Sequence, residues 1–177
     1  MRDSPTSREI EEFLAKQELH ELTARYCRGI DRADEAILLS VWHTDATVDY
    51  GFMKGSAKEF SQMMTAMNEQ IVRTIHCVSN ELFEVDGKFA TGESYLFSIS
   101  TRRIDGKEMD TLVGGRYLDR FELRDGEWRL LHRTFIMDWN MNQPSTGEWS
   151  GDGRFGVLTN HGRRDKSDPV YSLLGKH

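Results

Sequence analysis

Through the first third of the chain, apolar residues return every three to four positions. After Ser7, Glu9 and Glu11 come Ile10, Phe13, Leu14, Leu19, Leu22, Ala24, Cys27 and Ile30, and the pattern ends around Gly29 and Asp31. That spacing predicts one long helix, or two joined end to end. Asp34 is placed to cap a short helix carrying Ile37, Leu38, Leu39, Val41 and Trp42. Residues 46–50 read as a first strand and 51–55 as a turn. Residues 56–67 read as a further helix, with Phe60, Met63, Met64 and Met67 on one side as core filler.

Beyond Gln70 the period changes to that of strands. Four segments rich in Val, Ile, Thr, Tyr and Phe occupy roughly 71–85, 88–104, 109–123 and 127–140. Asp86-Gly87, Asp105-Gly106 and Asp125-Gly126 separate them. Both residue types tolerate the positive φ of a tight primed turn, so the segments form an antiparallel meander. Strands this long must bend, and Gly92, Gly114 and Gly115 are the expected bulge or bend positions. Helices followed by a long curved sheet make an α+β fold whose helices close one face of the sheet over a pocket. After Asn140 the chain turns to Gly, Ser, Asn and Asp until Val170, Tyr171, Leu173 and Leu174. The expected organisation is one domain over 1–140 and a tail over 141–177 that is an arm or a lid on the pocket.

At 177 residues and 38% hydrophobic, the chain can bury one sizeable core. Its formal charge of −6 offers no basic excess to neutralise a phosphate backbone, which argues against nucleic acid as a partner. The longest apolar runs fall far short of the roughly 20 residues of a membrane span, and the first residues are charged. These features lead us to expect a cytoplasmic protein with no membrane partner. The two cysteines, Cys27 and Cys77, make no framework and no CxxC pair, and are expected to be buried apolar residues. His20, His43, His76, His132, His161 and His177 lack metal-ligand spacing, and no glycine-rich phosphate loop or serine elbow occurs. Neither a metal nor a cofactor is expected.

What remains is a set of polar groups where an apolar pocket is expected. Asp31 closes the long helix, at the end where the helix dipole gives a carboxylate no support, so it needs another partner. His76 sits inside the run 72–78, mid-sheet, where an imidazole must find a hydrogen bond. If the helix packs on the concave face, Asp31 can accept from one imidazole nitrogen and leave the other to take a substrate proton, a workable general base. The alternative is a satisfied core histidine. Tyr50 and Tyr26 offer hydroxyls that can polarise a carbonyl or hold a water, or are simply core tyrosines. Arg133 shares a predicted strand face with Leu131, Phe135 and Met137. It marks an anion or leaving-group site, or it pairs with Asp31, Glu93 or Asp138.

Taken together, the runs 26–31 and 42–50, then His76, Gly115-Arg116-Tyr117 and 125–129, resemble the SnoaL-like branch of the NTF2-like superfamily over residues 8–140. The resemblance implies an NTF2-like cone, with N-terminal helices packed on a long curved antiparallel-rich sheet. The pattern is similar to two cofactor-free eliminating enzymes of that superfamily. Asp31, Tyr50 and His76 match scytalone dehydratase; Asp31, His76 and Arg133 match the hexachlorocyclohexane dehydrochlorinase. The match departs at Ile30, where the first has a tyrosine, and at Tyr26, where the second has a lysine. What this implies is a dehydratase-like lyase acting on a small hydrophobic, cyclic or polyketide-like molecule, assembled as a homo-oligomer, a trimer rather than a dimer. The same superfamily also holds ketosteroid-isomerase-like enzymes and non-catalytic binding or structural subunits, which stay open as alternatives.

Overall fold

The computed structural model describes residues 4–67 and 70–174. Its first element is the expected long helix, α1 (Ser7–Asp31), unbroken. Thr6 is its N-cap: the Thr6 side chain accepts from the Glu9 backbone while the Glu9 carboxylate reaches back to the Thr6 N–H. Such a reciprocal box satisfies two N-terminal donors at once. Leu19, Leu22, Tyr26, Cys27 and Ile30 form its buried stripe, while Ile10, Phe13 and Leu14 stay exposed, so only the later part of the helix is core. Helix α2 (Glu35–Ser40) starts at Asp34, which accepts from the Ile37 N–H as expected. Trp42 does not belong to that helix; it opens β1 (Trp42–Asp49).

The segment expected to be only a turn ends in a short strand, β2 (Lys54–Ser56), paired antiparallel with β1. Ser56 then caps α3 (Ala57–Ala66), on which Phe60 is fully buried and Met63 and Met64 pack against the core. The four long strands are β3 (Ile71–Asp86), β4 (Phe89–Ile104), β5 (Lys107–Arg124) and β6 (Glu127–Pro144). One six-stranded sheet runs β2-β1-β6-β5-β4-β3, antiparallel except where β1 lies parallel to β6. The chain thus has the α+β, NTF2-like architecture, a curved sheet left open at its edges with the helices on one face.

In two of the three turns the Asp-Gly pair is central, and Asp105, Gly106, Asp125 and Gly126 all have positive φ. In the first, Asp86 pairs with Phe89 inside the ladder, so the central pair is Gly87-Lys88, and the positive φ falls on Gly87 at the first position, where a type II′ turn has its glycine. The bends also differ in part from expectation. A register shift does fall between Gly114 and Gly115, where a Cβ on Gly115 would lie 2.3 Å from the Ile136 carbonyl oxygen. Gly92, in contrast, pairs regularly with Phe83, whose ring would meet a Cβ at 2.6 Å. The bulge in β3 lies instead between Ser79 and Leu82, where Asn80 takes a positive φ. A further shift opposite Arg120 and Phe121 changes the parity of β6. Leu130 and Arg133 are therefore both fully buried and Leu131 only partly. The expectation that Leu131 shares a face with Arg133 fails for that reason, whereas Phe135 and Met137 keep the alternation of Arg133, Met137 being exposed next to the Gly114–Gly115 shift.

The core fills the space between α1, β1 and the concave face of the sheet, with Tyr26, Trp42, Tyr117 and Phe121 among its largest members. The convex face carries exposed apolar side chains, including Ile75, Phe97, Ile99, Trp139 and Met141. Cys77 points to that side and is exposed, contrary to expectation; Cys27 is buried, and burial pushes its thiol up to about 12. After Pro144 the chain returns across the C-terminal end of α1. There Lys166 and Tyr171 both donate to the Asp34 carboxylate, Arg32 pairs with Asp168 at 3.4 Å, and Arg164 donates to the Ile30 carbonyl at 3.3 Å. Among the described residues no helix is long and apolar enough to cross a membrane.

Candidate active site

Helix α1 packs along β3, and this contact brings Asp31 to His76. Asp31 Oδ1 lies 2.6 Å from His76 Nδ1, and Oδ2 accepts the His76 backbone N–H at 3.1 Å. Both side chains are nearly buried, 14% exposed for His76 and 10% for Asp31. A carboxylate accepts only, so a neutral imidazole held this way carries its proton on Nδ1 and keeps its lone pair on Nε2. This is the partner that a carboxylate at the unfavourable end of a helix requires. The sequence 29–31 permits the approach: Gly29 lies against Leu38, where even a Cβ would come within 2.9 Å of its side chain, so the helix end sits tight on α2.

His76 opens onto a cavity of about 320 Å³, inside the range of small-molecule sites. Tyr26, Tyr50, Phe60, Tyr117 and Phe135 form its inner wall. Tyr50 stacks on Phe60 at 4.3 Å and on Phe135 at 5.6 Å, and its hydroxyl lies 2.5 Å from that of Tyr26. Burial pushes both phenols above their ordinary value, Tyr50 well above, so they stay protonated and can donate. Asp31 itself lies behind His76. It borders a groove on the other side of the α1–β3 seam, together with Arg28 and Glu81.

Arg133 is not part of this wall. It is fully buried, and its Nε and Nη2 donate to the two oxygens of Asp119, each at 2.7 Å. Its expected acidic partners are engaged elsewhere: Asp31 with His76, Glu93 and Asp138 with Arg116. The guanidinium lies 4.2 Å from the Tyr26 ring centre and 3.8 Å from that of Tyr117. Burial alone would favour a neutral guanidinium, but the Asp119 charge outweighs it and holds Arg133 cationic. The arginine thus backs the two tyrosines from behind.

Of the five residues singled out in the sequence, the structure brings His76, Tyr26 and Tyr50 to the cavity, sets Asp31 behind the histidine, and seals Arg133 beneath the tyrosines. Tyr117, Phe135, Thr74, Ser98 and Ser100 were missed. Strand parity would have found Thr74, two residues from His76 on the same face. Arg164 also lines the cavity and comes from the tail, where no periodicity announces it. Among the described residues no group of three or more His, Cys, Asp or Glu side chains could hold a metal ion.

With the site described, its relatives can be identified. The SnoaL-like domain family matches residues 11–134, more than half of the chain. The chain belongs to the SnoaL-like family. This SnoaL-like protein is similar in fold to several crystal structures. One is a hexachlorocyclohexane dehydrochlorinase, LinA Type2, at 20% identity and a TM-score of 0.69, over 76% of this chain and 92% of that one. Another is a candidate scytalone dehydratase from Novosphingobium aromaticivorans, at 16% identity and a TM-score of 0.67, over 73% and 88%. A third, a protein of unknown function from Mycobacterium tuberculosis, reaches 24% identity and a TM-score of 0.60 over 93% and 87%. At these identities the likeness concerns the fold. No curated protein matches the chain significantly.

Proposed function

We propose that this SnoaL-like protein is a cofactor-independent lyase, dehydratase-like, that removes a proton from a small cyclic substrate. The observation that carries the reading is the 2.6 Å contact of Asp31 with His76 Nδ1, beside a cavity that the imidazole lines. In the proposed mechanism, His76 Nε2 takes a proton from the carbon next to a carbonyl. The Asp31 carboxylate orients the imidazole and stabilises the imidazolium that forms. One of the Tyr26 and Tyr50 hydroxyls donates to the other, and the O–H left over donates to the carbonyl oxygen as negative charge collects there, a term that grows in the transition state. Arg133, 0% exposed, acts as a positioning residue: it braces the two tyrosine rings and supplies positive charge beneath them. The imidazolium then returns its proton to the departing hydroxyl, which leaves as water, so proton and leaving group balance. The apolar inner wall keeps bulk water from quenching the enolate. A candidate dehydratase and a dehydrochlorinase among the similar folds support elimination as the reaction type.

The reading is tested by screening cyclic β-hydroxy ketones in deuterated water with mass detection. Loss of one water, abolished in Asp31→Asn, is the expected result. Deuterium uptake at constant composition would instead mean an isomerase that returns the proton, and full turnover by Asp31→Asn would remove the dyad from the mechanism. We further propose a homo-oligomer, a trimer rather than a dimer. The exposed apolar residues of the convex face, Ile75, Phe97, Ile99, Trp139 and Met141, support an interface there. A monomer in sedimentation at micromolar concentration contradicts this.

A further inference from the structure

The cavity is chemically two-ended. Opposite the tyrosines, its outer part is lined by Thr74, Ser98, Ser100, Thr111, Arg102 and Arg164. The strand register sets these out in order. Thr74, Ser100 and Thr111 are successive partners across β3, β4 and β5, and His76, Ser98 and Val113 form the next inward row. Rows of one face lie two residues apart, roughly 7 Å along the strand, so the hydroxyl row is one step outward from His76 and Arg102 one step beyond it.

These side chains offer donors. Thr74 and Ser100 share one hydrogen bond at 3.0 Å, which uses one of their two O–H groups and leaves the other. Ser98 is 7% exposed and has no hydrogen-bond partner among the described residues. No carboxylate lies within ion-pair distance of Arg102 among the described residues, and this in a chain whose net charge is −6. Arg164, 9% exposed, is fixed in the wall by its bond to the Ile30 carbonyl. Asp31, Arg32 and Arg102 are among the charged groups that act on it. Arg32 is committed to Asp168, while Arg102 lines the cavity with it.

We propose that the outer end of the cavity binds a carboxylate, and that the substrate is a cyclic or aromatic acid. Arg102 and Arg164 hold its carboxylate, with the Ser98, Ser100 and Thr74 hydroxyls as neighbouring donors. Its ring lies against Tyr50 and Phe135. A planar guanidinium matches a carboxylate in charge and in geometry. The separation of one to two rows leaves room for about one ring between the carboxylate and the carbon that faces His76. This inference rests on the proposed function only for which carbon that is.

The test is calorimetric titration with 2-naphthoate and with its neutral amide, 2-naphthamide, at low ionic strength. The wild-type protein is expected to prefer the acid by about tenfold or more, an increment that one charge-assisted contact supplies. The preference is expected to shrink toward parity in Arg102→Gln, an exposed position that leaves the fold intact, and further in Arg102→Gln/Arg164→Gln. It is expected to persist in His76→Ala, which separates it from the catalytic reading: loss of turnover with the preference retained supports both, and turnover retained with the preference retained overturns only the dyad. Equal affinity for acid and amide, no binding of the acid at millimolar concentration, an unchanged preference in Arg102→Gln, or a preference lost only in His76→Ala each overturns the carboxylate site.

Discussion

Two acid–base pairs lie within the core of this protein, Asp31 with His76 and Asp119 with Arg133, and they are built to opposite ends. The second is a bidentate pair with both oxygens and two guanidinium nitrogens engaged at 2.7 Å, capped by two aromatic rings and sealed from solvent and cavity alike. The first joins a helix end to a strand, uses one imidazole nitrogen, and its ring lines a cavity. In the sealed pair two guanidinium nitrogens are committed to the carboxylate and the cation otherwise faces only the Tyr26 and Tyr117 rings, so it meets no substrate. In the open pair the acid holds one nitrogen of a ring that borders a cavity, and on the proposed reading the consequence is chemistry. Sequence composition does not separate the two: each is a lone base among apolar neighbours.

The comparison can be broken first at the sealed pair. Arg133→Met leaves a buried carboxylate without its counter-ion and is expected to cost about 3–5 kcal/mol in urea unfolding. Should that variant not fold, Arg133→Met/Asp119→Leu is expected to recover most of the loss, because the uncompensated charge is gone. A fully stable Arg133→Met that has lost turnover would mean the arginine acts on the substrate directly. The open pair is expected to respond in the reverse sense. Asp31→Asn keeps an acceptor for the His76 backbone N–H and is expected to cost about 1 kcal/mol of stability, while turnover falls.

The tyrosines sharpen the contrast through pH. Burial raises the phenols of Tyr26, Tyr50 and Tyr117 above the ordinary value near 10. Folded protein therefore holds protons that the unfolded chain releases there. Stability from these groups is complete below pH 10 and is expected to fall as the pH rises beyond it, with ultraviolet titration showing their ionisation only as the chain unfolds. A reversible titration of all the tyrosines near pH 10 in the folded state would contradict the described packing. A smaller effect is expected at the tail. Burial works against an ionised Asp34, but the hydrogen bonds from Lys166 and Tyr171 outweigh it and lower its value. That contribution is present above the ordinary carboxylate value and lost as the pH falls through the lowered one. Because Lys166 is a 70% exposed side chain, Lys166→Ala is expected to cost only about 0.2–1 kcal/mol. Thiol reagents are expected to modify Cys77 and spare Cys27 until the protein unfolds, given the exposure of the one and the burial of the other; modification of both in the folded protein would contradict it.

Much of this arrangement is legible in the sequence because it follows from local periodicity. The helix ending at Asp31, the four long strands and the three hairpins at the Asp-Gly pairs are read from spacing and turn chemistry alone. Where strands slip by one residue, that reading fails. The shift near Arg120 and Phe121 moves Leu131 off the core face and gives Arg133 to Asp119, a partner fourteen residues away across the β5–β6 hairpin. No local signal fixes such a slip, since it depends on packing across strands. Ser98 and Ser100 are legible in principle, because they alternate with exposed Phe97 and Ile99 on β4. Arg164 was not legible: it reaches the cavity from a segment without regular structure, and only the folded chain brings it back to Ile30.

Turnover by His76→Ala tests the central claim most directly, measured on a cyclic ketone that the wild-type protein dehydrates, with thermal unfolding recorded alongside. A general base of this kind contributes on the order of 10²–10⁴-fold. The account predicts a loss of that size in a variant that unfolds with the wild-type protein, and undiminished dehydration by folded His76→Ala would contradict it.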